Sequence, residues 1–263
     1  MKKLQLDDAI YNQNLKIARE LGKDRVRAEK LINVLFNDFA KNYRKSVEGI
    51  NHSQKYGLER EEVNTAFNNI LAKKNNGEDY VDDVFDVLFA RENQVHWDTR
   101  AKNLRPFLAK KHNSKEIDDI IKFFILLLET LIKQDKDYNQ KKVLKQFKAK
   151  ADYIGVNRIS SILYYLDDSY YVINSKTVGS VNFLLLLFPD DFKITKDINN
   201  YIDENRKLHA YINRLTYYID GLSNDDETEM FETFDMFCHW LCDKNLGSYA
   251  RLDAQNLLPI DKI

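Results

Sequence analysis

Proline and glycine are scarce, three and eight in 263 residues. A sandwich, a barrel or a doubly wound sheet needs many turns built from those two residues, so the shortage points to a mostly helical chain. Cysteine is scarcer still, Cys238 and Cys242 being the only two, and a disulfide framework is excluded. Their i,i+4 spacing in Phe237-Cys238-His239-Trp240-Leu241-Cys242 puts both thiols on one helix face, but a structural zinc site takes four ligands and no second pair exists. Neither metal nor cofactor is expected. The longest apolar runs, Phe123 to Leu128 and Phe183 to Phe188, are six residues each, against the roughly 20 a membrane span requires. Met1-Lys2-Lys3-Leu4-Gln5-Leu6-Asp7-Asp8 has no apolar core of the length an export signal needs. The expectation is a protein of the reducing cytoplasm, outside the membrane.

An excess of one charge is also missing: 40 Lys and Arg stand against 41 Asp and Glu, so no global basic signature for nucleic acid exists and any charged site is local. What is present is 44% hydrophobic and 12% aromatic residues, enough for one large core or two smaller ones. The expected architecture is all-α, in two packed helical subdomains, residues 1–112 and 113–247, followed by a tail at 248–263. His112-Asn113-Ser114 is the boundary between them, and the tail, with Pro259, reads as a linker or an extended packing segment.

Residues from about Leu4 to Arg44 read as two helices broken near Gly22, with Asp24 capping the second. Glu48 to Gly57 reads as a polar loop, after which Leu58 to Lys74 resumes helix and Asn75-Asn76-Gly77 closes it. Tyr80 to Ala90 is a short amphipathic helix with an acidic outer face. The helix beginning at Ser114 is apolar nearly all round through Phe123-Phe124-Ile125-Leu126-Leu127-Leu128, which marks a central buried helix. Further helices are expected at Asn157 to Leu166, Lys176 to Phe188, Asp197 to Gly221, and from the acidic loop Asn224 to Glu227 up to about Lys244.

One window is clearly basic. Lys133 to Lys150 holds seven lysines, opposed only by Asp135 and Asp137. Next come Asp152-Tyr153-Ile154-Gly155-Val156-Asn157-Arg158-Ile159-Ser160-Ser161, so that 147–166 reads as helix, tight glycine-containing loop, helix. The order of apolar residue, Gly, apolar residue and small polar residue resembles a helix-hairpin-helix, an element that holds the DNA backbone without reading bases. Such an element implies phosphate contacts from the loop amides and the second helix N-terminus, with Lys142, Lys145, Lys148, Lys150 and Arg158 as the cations, Gly155 for the turn, and Asn157 where the family has a second glycine. The alternative is an ordinary helical turn in which Gly155 is a C-cap and the lysines are a solvated face. In glycosylases that resemble this element a catalytic Asp follows the second helix; here Asn174 stands there, and an amide cannot ionise to activate water. Tyr164, Tyr165, Tyr170 and Tyr171 border the hairpin, either as core or as a stacking surface for unpaired bases.

Ser160 to Lys176, containing Ile162-Leu163-Tyr164-Tyr165-Leu166-Asp167-Asp168 and Val172-Ile173-Asn174-Ser175-Lys176, together with Phe234-Asp235-Met236-Phe237-Cys238-His239-Trp240-Leu241, resembles the amino-terminal helical region of McrB-like AAA-type restriction proteins, over about residues 115–246. Asp168 departs from the proline usual in that pattern. The resemblance implies a DNA-docking module beside a nucleotide-driven motor, fused or adjacent. The chain itself has no Gly-x-x-x-x-Gly-Lys-Ser/Thr phosphate cradle.

No catalytic constellation is found. His52, His96, His112, His209 and His239 are scattered, and no serine sits in a Gly-x-Ser-x-Gly elbow. Glu78, Asp79, Asp82, Asp83 and Asp86 read as a solvated acidic face rather than a metal cluster. The function these observations favour is DNA-backbone binding. The alternative is a protein-interaction module whose acidic half, Asp203 to Asp243, docks a partner or another copy of the chain.

Overall fold

Apolar residues recurring every three to four positions become helix along the chain. The computed structural model describes residues 9–88, 104–133, 137–151, 153–223, 226–246 and 256–263. Among them there is no strand, and eleven α-helical segments follow one another: α1 Ala9–Leu21, α2 Arg25–Asn42, α3 Val47–Asn76, α4 Val81–Asp83 continued by a π turn over Val84–Leu88, α5 Leu104–Ala109, α6 Ser114–Ile132, α7 Asp137–Ala151, α8 Val156–Leu166, α9 Ser175–Leu187, α10 Tyr201–Leu215 and α11 Glu227–Leu241. The protein is all-α. Among the described residues no helix is long and apolar enough to cross a membrane.

Several helix starts carry side-chain caps that satisfy otherwise orphaned amides. Asp24 accepts from Arg27 N–H at 3.2 Å, and Asn113 exchanges a capping box with Glu116, each bond 3.0 Å. α6 begins at Ser114, and its cap is the residue before it. The polar loop expected at 48–57 is instead the beginning of α3. Ser46 opens that helix by accepting from Gly49 N–H, and Tyr56 is fully buried. Burying a large aromatic outweighs the roughly 1 kcal/mol that Gly57 costs in a helix interior. The helix expected over Asp197 to Gly221 is shorter, because the Asp197 carboxylate accepts from Asn199 N–H at 3.0 Å and shapes a turn before Tyr201.

The chain forms two compact units interleaved in sequence. The first comprises the described parts of Met1–Ser53, Ile173–Thr195 and Arg206–Ile263; the second comprises those of Gln54–Val172 and Lys196–Asn205. His112 to Ser114, read above as the boundary between subdomains, therefore lies inside the second unit, where it forms the capped turn from α5 to α6.

In the first unit α2 and α11 bury a cluster of rings: Phe36, Phe39, Phe237 and Trp240. Gly22 ends α1 against α9. A methyl group there would stand 1.9 Å from the carbonyl oxygen of Leu186, so this glycine is required by close approach rather than by its stop signal. Gly22→Ala should destabilise the protein by about 1–3 kcal/mol, read as a fall in the thermal unfolding midpoint. The C-terminal residues 256–263 pack instead of trailing: Leu258 is buried, and buried Asn14 bonds to Asn245 O, Asn256 O and Leu258 N–H.

The second unit is centred on α6, which buries Ile117, Ile120, Ile121, Phe124, Ile125, Leu127, Leu128 and Leu131. α7 and α8 close over it. Several buried polar groups here are paired, which offsets the cost of burying them: Tyr165 donates to Glu59, Tyr170 donates to Leu131 O at 2.6 Å, and Asn205 accepts from Tyr171 N–H at 2.6 Å while donating to Ser169 O at 2.8 Å. The last two bonds seat the short segment Lys196–Asn205 in this unit.

Candidate nucleic-acid interface

α7 sorts its residues by face. Val143, Leu144, Phe147 and Ala151 are buried, a helical stripe that turns Lys142 and Lys145 outward, where both are exposed. The remaining lysines of the helix are used differently. Lys141 pairs with Asp203 at 2.7 Å and Lys148 with Asp197 at 2.8 Å. The Lys148 ammonium, with help from Asn199 N–H, holds the Asp197 carboxyl below its ordinary range. Lys148, expected to contact phosphate, is thus committed to fixing Lys196–Asn205. Lys150 lies over the Phe123 ring at 4.9 Å. Among the described residues no carboxylate lies within ion-pair distance of Lys142, Lys145 or Lys150.

The turn between α7 and α8 differs from the expected hairpin. Gly155 is the N-cap of α8, not a C-cap, with φ −77° and ψ 174°, an extended conformation open to any residue. A methyl group there would meet nothing within 4 Å. Asn157 lies within α8 and makes no left-handed turn. Neither position therefore plays the backbone role expected of it. The helix-hairpin-helix element is not confirmed; what remains is a helix end whose N-cap offers no side-chain acceptor to the first-turn amides. Ser160 and Ser161 donate back to Asn157 O, and the Arg158 guanidinium donates to Tyr153 O at 3.1 Å.

The four tyrosines proposed as core or stacking surface are core: Tyr164, Tyr165, Tyr170 and Tyr171 are 1–6% exposed. The aromatics that do sit at the turn are different ones. Phe107, 38% exposed, meets the Tyr153 ring edge-on, with centroids 5.6 Å apart. Lys111 Nζ lies 4.6 Å from the Phe107 centroid and 5.8 Å from that of Tyr153. The Tyr153 hydroxyl is 3.4 Å from His112 Nε2. Sequence reading missed this group because its members come from separate helix ends; the only signal was Lys110-Lys111 closing a basic stretch.

The other candidates resolve into structure. Asn174 caps α9, accepting from Lys176 and Thr177 N–H at 2.8 and 3.0 Å. Asp83 pairs with Lys73 and Asp82 with Arg105. Burial pushes both thiols up, Cys242 to about 11 and Cys238 well above its ordinary value, so neither is a ready nucleophile. His239 faces buried Asp235 at 3.7 Å, and Trp240 packs on Phe237. His96 lies outside the described residues. Much of the acidic stretch is taken up internally: Asp203 by Lys141, Glu227 by His209, Glu229 by Arg44 and Asp243 by Lys176. Among the described residues no group of three or more His, Cys, Asp or Glu is placed to hold a metal ion.

The fold and this surface define a helical protein with a local cationic and aromatic corner. No known protein family, curated protein or solved structure matches the chain.

Proposed function

We propose that the second unit binds the DNA backbone through the outer face of α7 and the N-terminal end of α8, as the DNA-docking part of a restriction or phage-defence assembly whose AAA-type motor is fused or adjacent. The observation that carries the reading is the set of lysines without carboxylate partners among the described residues, Lys142, Lys145 and Lys150, leading to a helix end with no side-chain cap. Exposed cations free of internal pairs release counterions when they meet phosphate, and uncapped first-turn amides favour an anion through the helix dipole. Arg158 and Lys111 border the same turn. Lys148 contributes indirectly, by holding Asp197.

Duplex affinity is expected to fall steeply with salt, and each lysine of the set removed should lower the slope of log affinity against log salt by about one. The triple variant Lys142→Ala/Lys145→Ala/Lys150→Ala should therefore flatten it by about three, equally for all sequences. Lys148→Ala should leave the slope nearly unchanged, and Gly155→Ala should leave both binding and stability intact. A duplex titration across salt concentrations checks all of these. Unchanged binding by the triple variant, or binding insensitive to salt, overturns the proposal. A defined oligomer in light scattering without DNA binding would move the assignment to the interaction-module alternative.

A further inference from the structure

We infer that the corner formed by Phe107 and Tyr153 is a stacking position for an unpaired base, so that the second unit prefers DNA with single-stranded character over uninterrupted duplex. The inference rests on the backbone-binding reading above and names its preferred ligand.

Phe107 is the one phenylalanine among the described residues that is exposed as a large hydrophobic side chain. Its ring meets only one other ring there, that of Tyr153, and meets it at 68° rather than face to face. The contact is edge-on rather than a parallel stack, and Phe107 keeps 38% of its surface exposed. Lys111 occupies one side of Phe107 as a cation over the ring, a contact that strengthens when water is excluded. A base laid against the exposed ring surface would complete a sandwich of ammonium, ring and base, with its own phosphate within the field of Lys111 and Arg158, the two cations that border Tyr153. Arg158 already bonds to Tyr153 O, so the cation and the aromatic are held in register.

Shape favours the unpaired strand. In a duplex the bases are stacked on each other, and offering one to Phe107 costs unstacking and unpairing. A single strand, a bulge or a gap has largely met that cost. Stacking tolerates every base, since each has a π face, so the preference is for strandedness and not for sequence.

The test is fluorescence anisotropy with a single strand and the corresponding duplex at one salt concentration, using the whole chain, and a second single strand carrying 2-aminopurine to report stacking. Wild type should bind the single strand more tightly and quench 2-aminopurine. Phe107→Ala should lose about 5- to 150-fold on the single strand, the range base stacking on an aromatic supplies, with less than about a twofold change on the duplex. Phe107→Trp should keep both properties, and Phe107→Leu, which keeps apolar volume without a π face, should behave as the alanine variant does and guards against misfolding. Salt-dependent duplex binding with equal affinity for the single strand, or with Phe107→Ala unchanged on it, overturns the stacking site and leaves the backbone reading standing. Absence of salt-dependent binding to either DNA overturns both.

Discussion

Replacing Phe39 by alanine is expected to cost about 3–5 kcal/mol of unfolding free energy. The ring is fully buried and stands 5.5 Å from Phe36, 5.5 Å from Phe237, 5.9 Å from Tyr43 and 6.0 Å from Trp240, centroid to centroid. Truncation forfeits the transfer free energy of the ring and leaves a cavity whose walls are themselves rings on α2 and α11. Rigid walls collapse poorly, which places the site towards the costly end of such substitutions. Trp240 is a reporter inside the cluster, and its fluorescence in a urea titration should show the midpoint falling by roughly 1–5 M, given a urea slope of about 1–3 kcal/mol/M. Phe39→Leu should recover part of the loss. A cost below about 1 kcal/mol would show that the ring cluster is not what holds the first unit together.

Asn14→Ala is expected to cost about 3 kcal/mol, by a different mechanism. The side chain is fully buried. Its amide nitrogen donates to Asn245 O at 2.7 Å and to Asn256 O at 2.9 Å, while its oxygen accepts from Leu258 N–H at 2.9 Å. Alanine strands Asn245 O and Leu258 N–H; Asn256 O keeps a bond from Asn245 Nδ2 at 3.1 Å. Asn14→Asp should be at least as harmful, because it loses both donors and buries a charge beside carbonyl oxygens. Hydrogen exchange at the Leu258 amide checks the mechanism. Lost protection there, together with the lower unfolding free energy, is the expected result; a stability loss with the amide still protected would place the damage elsewhere.

Several features of the fold could be read locally. The stripe of α6 and the caps at Asp24 and near Asn113 depend on residues a few positions apart, and the turn at Gly77, with φ 73°, depends on the one residue type that adopts it freely. The polar run at 48–57 misled because propensity is worth tenths of a kcal/mol per residue, less than burying Tyr56 returns. Gly155 misled in the opposite sense: scarce glycines invite a conformational role, yet this one is extended and sterically unconstrained, while Gly22 is required by the Leu186 carbonyl of a helix far along the chain.

The candidate site divides in the same way. By itself the sequence determined that the protein is all-α and that its cations concentrate between Lys133 and Lys150, because helical periodicity and charge density are properties of neighbouring residues. Tertiary structure decided which cations pair among the described residues, since Asp197 and Asp203 come from a distant segment and take Lys148 and Lys141 but not Lys142, Lys145 or Lys150. It also decided that the hairpin tyrosines are core and that Phe107, Lys111 and Tyr153 form the exposed aromatic corner. Those outcomes depend on which helix ends meet in space, and that follows from how the helices bury their apolar faces together, not from any one stretch of chain.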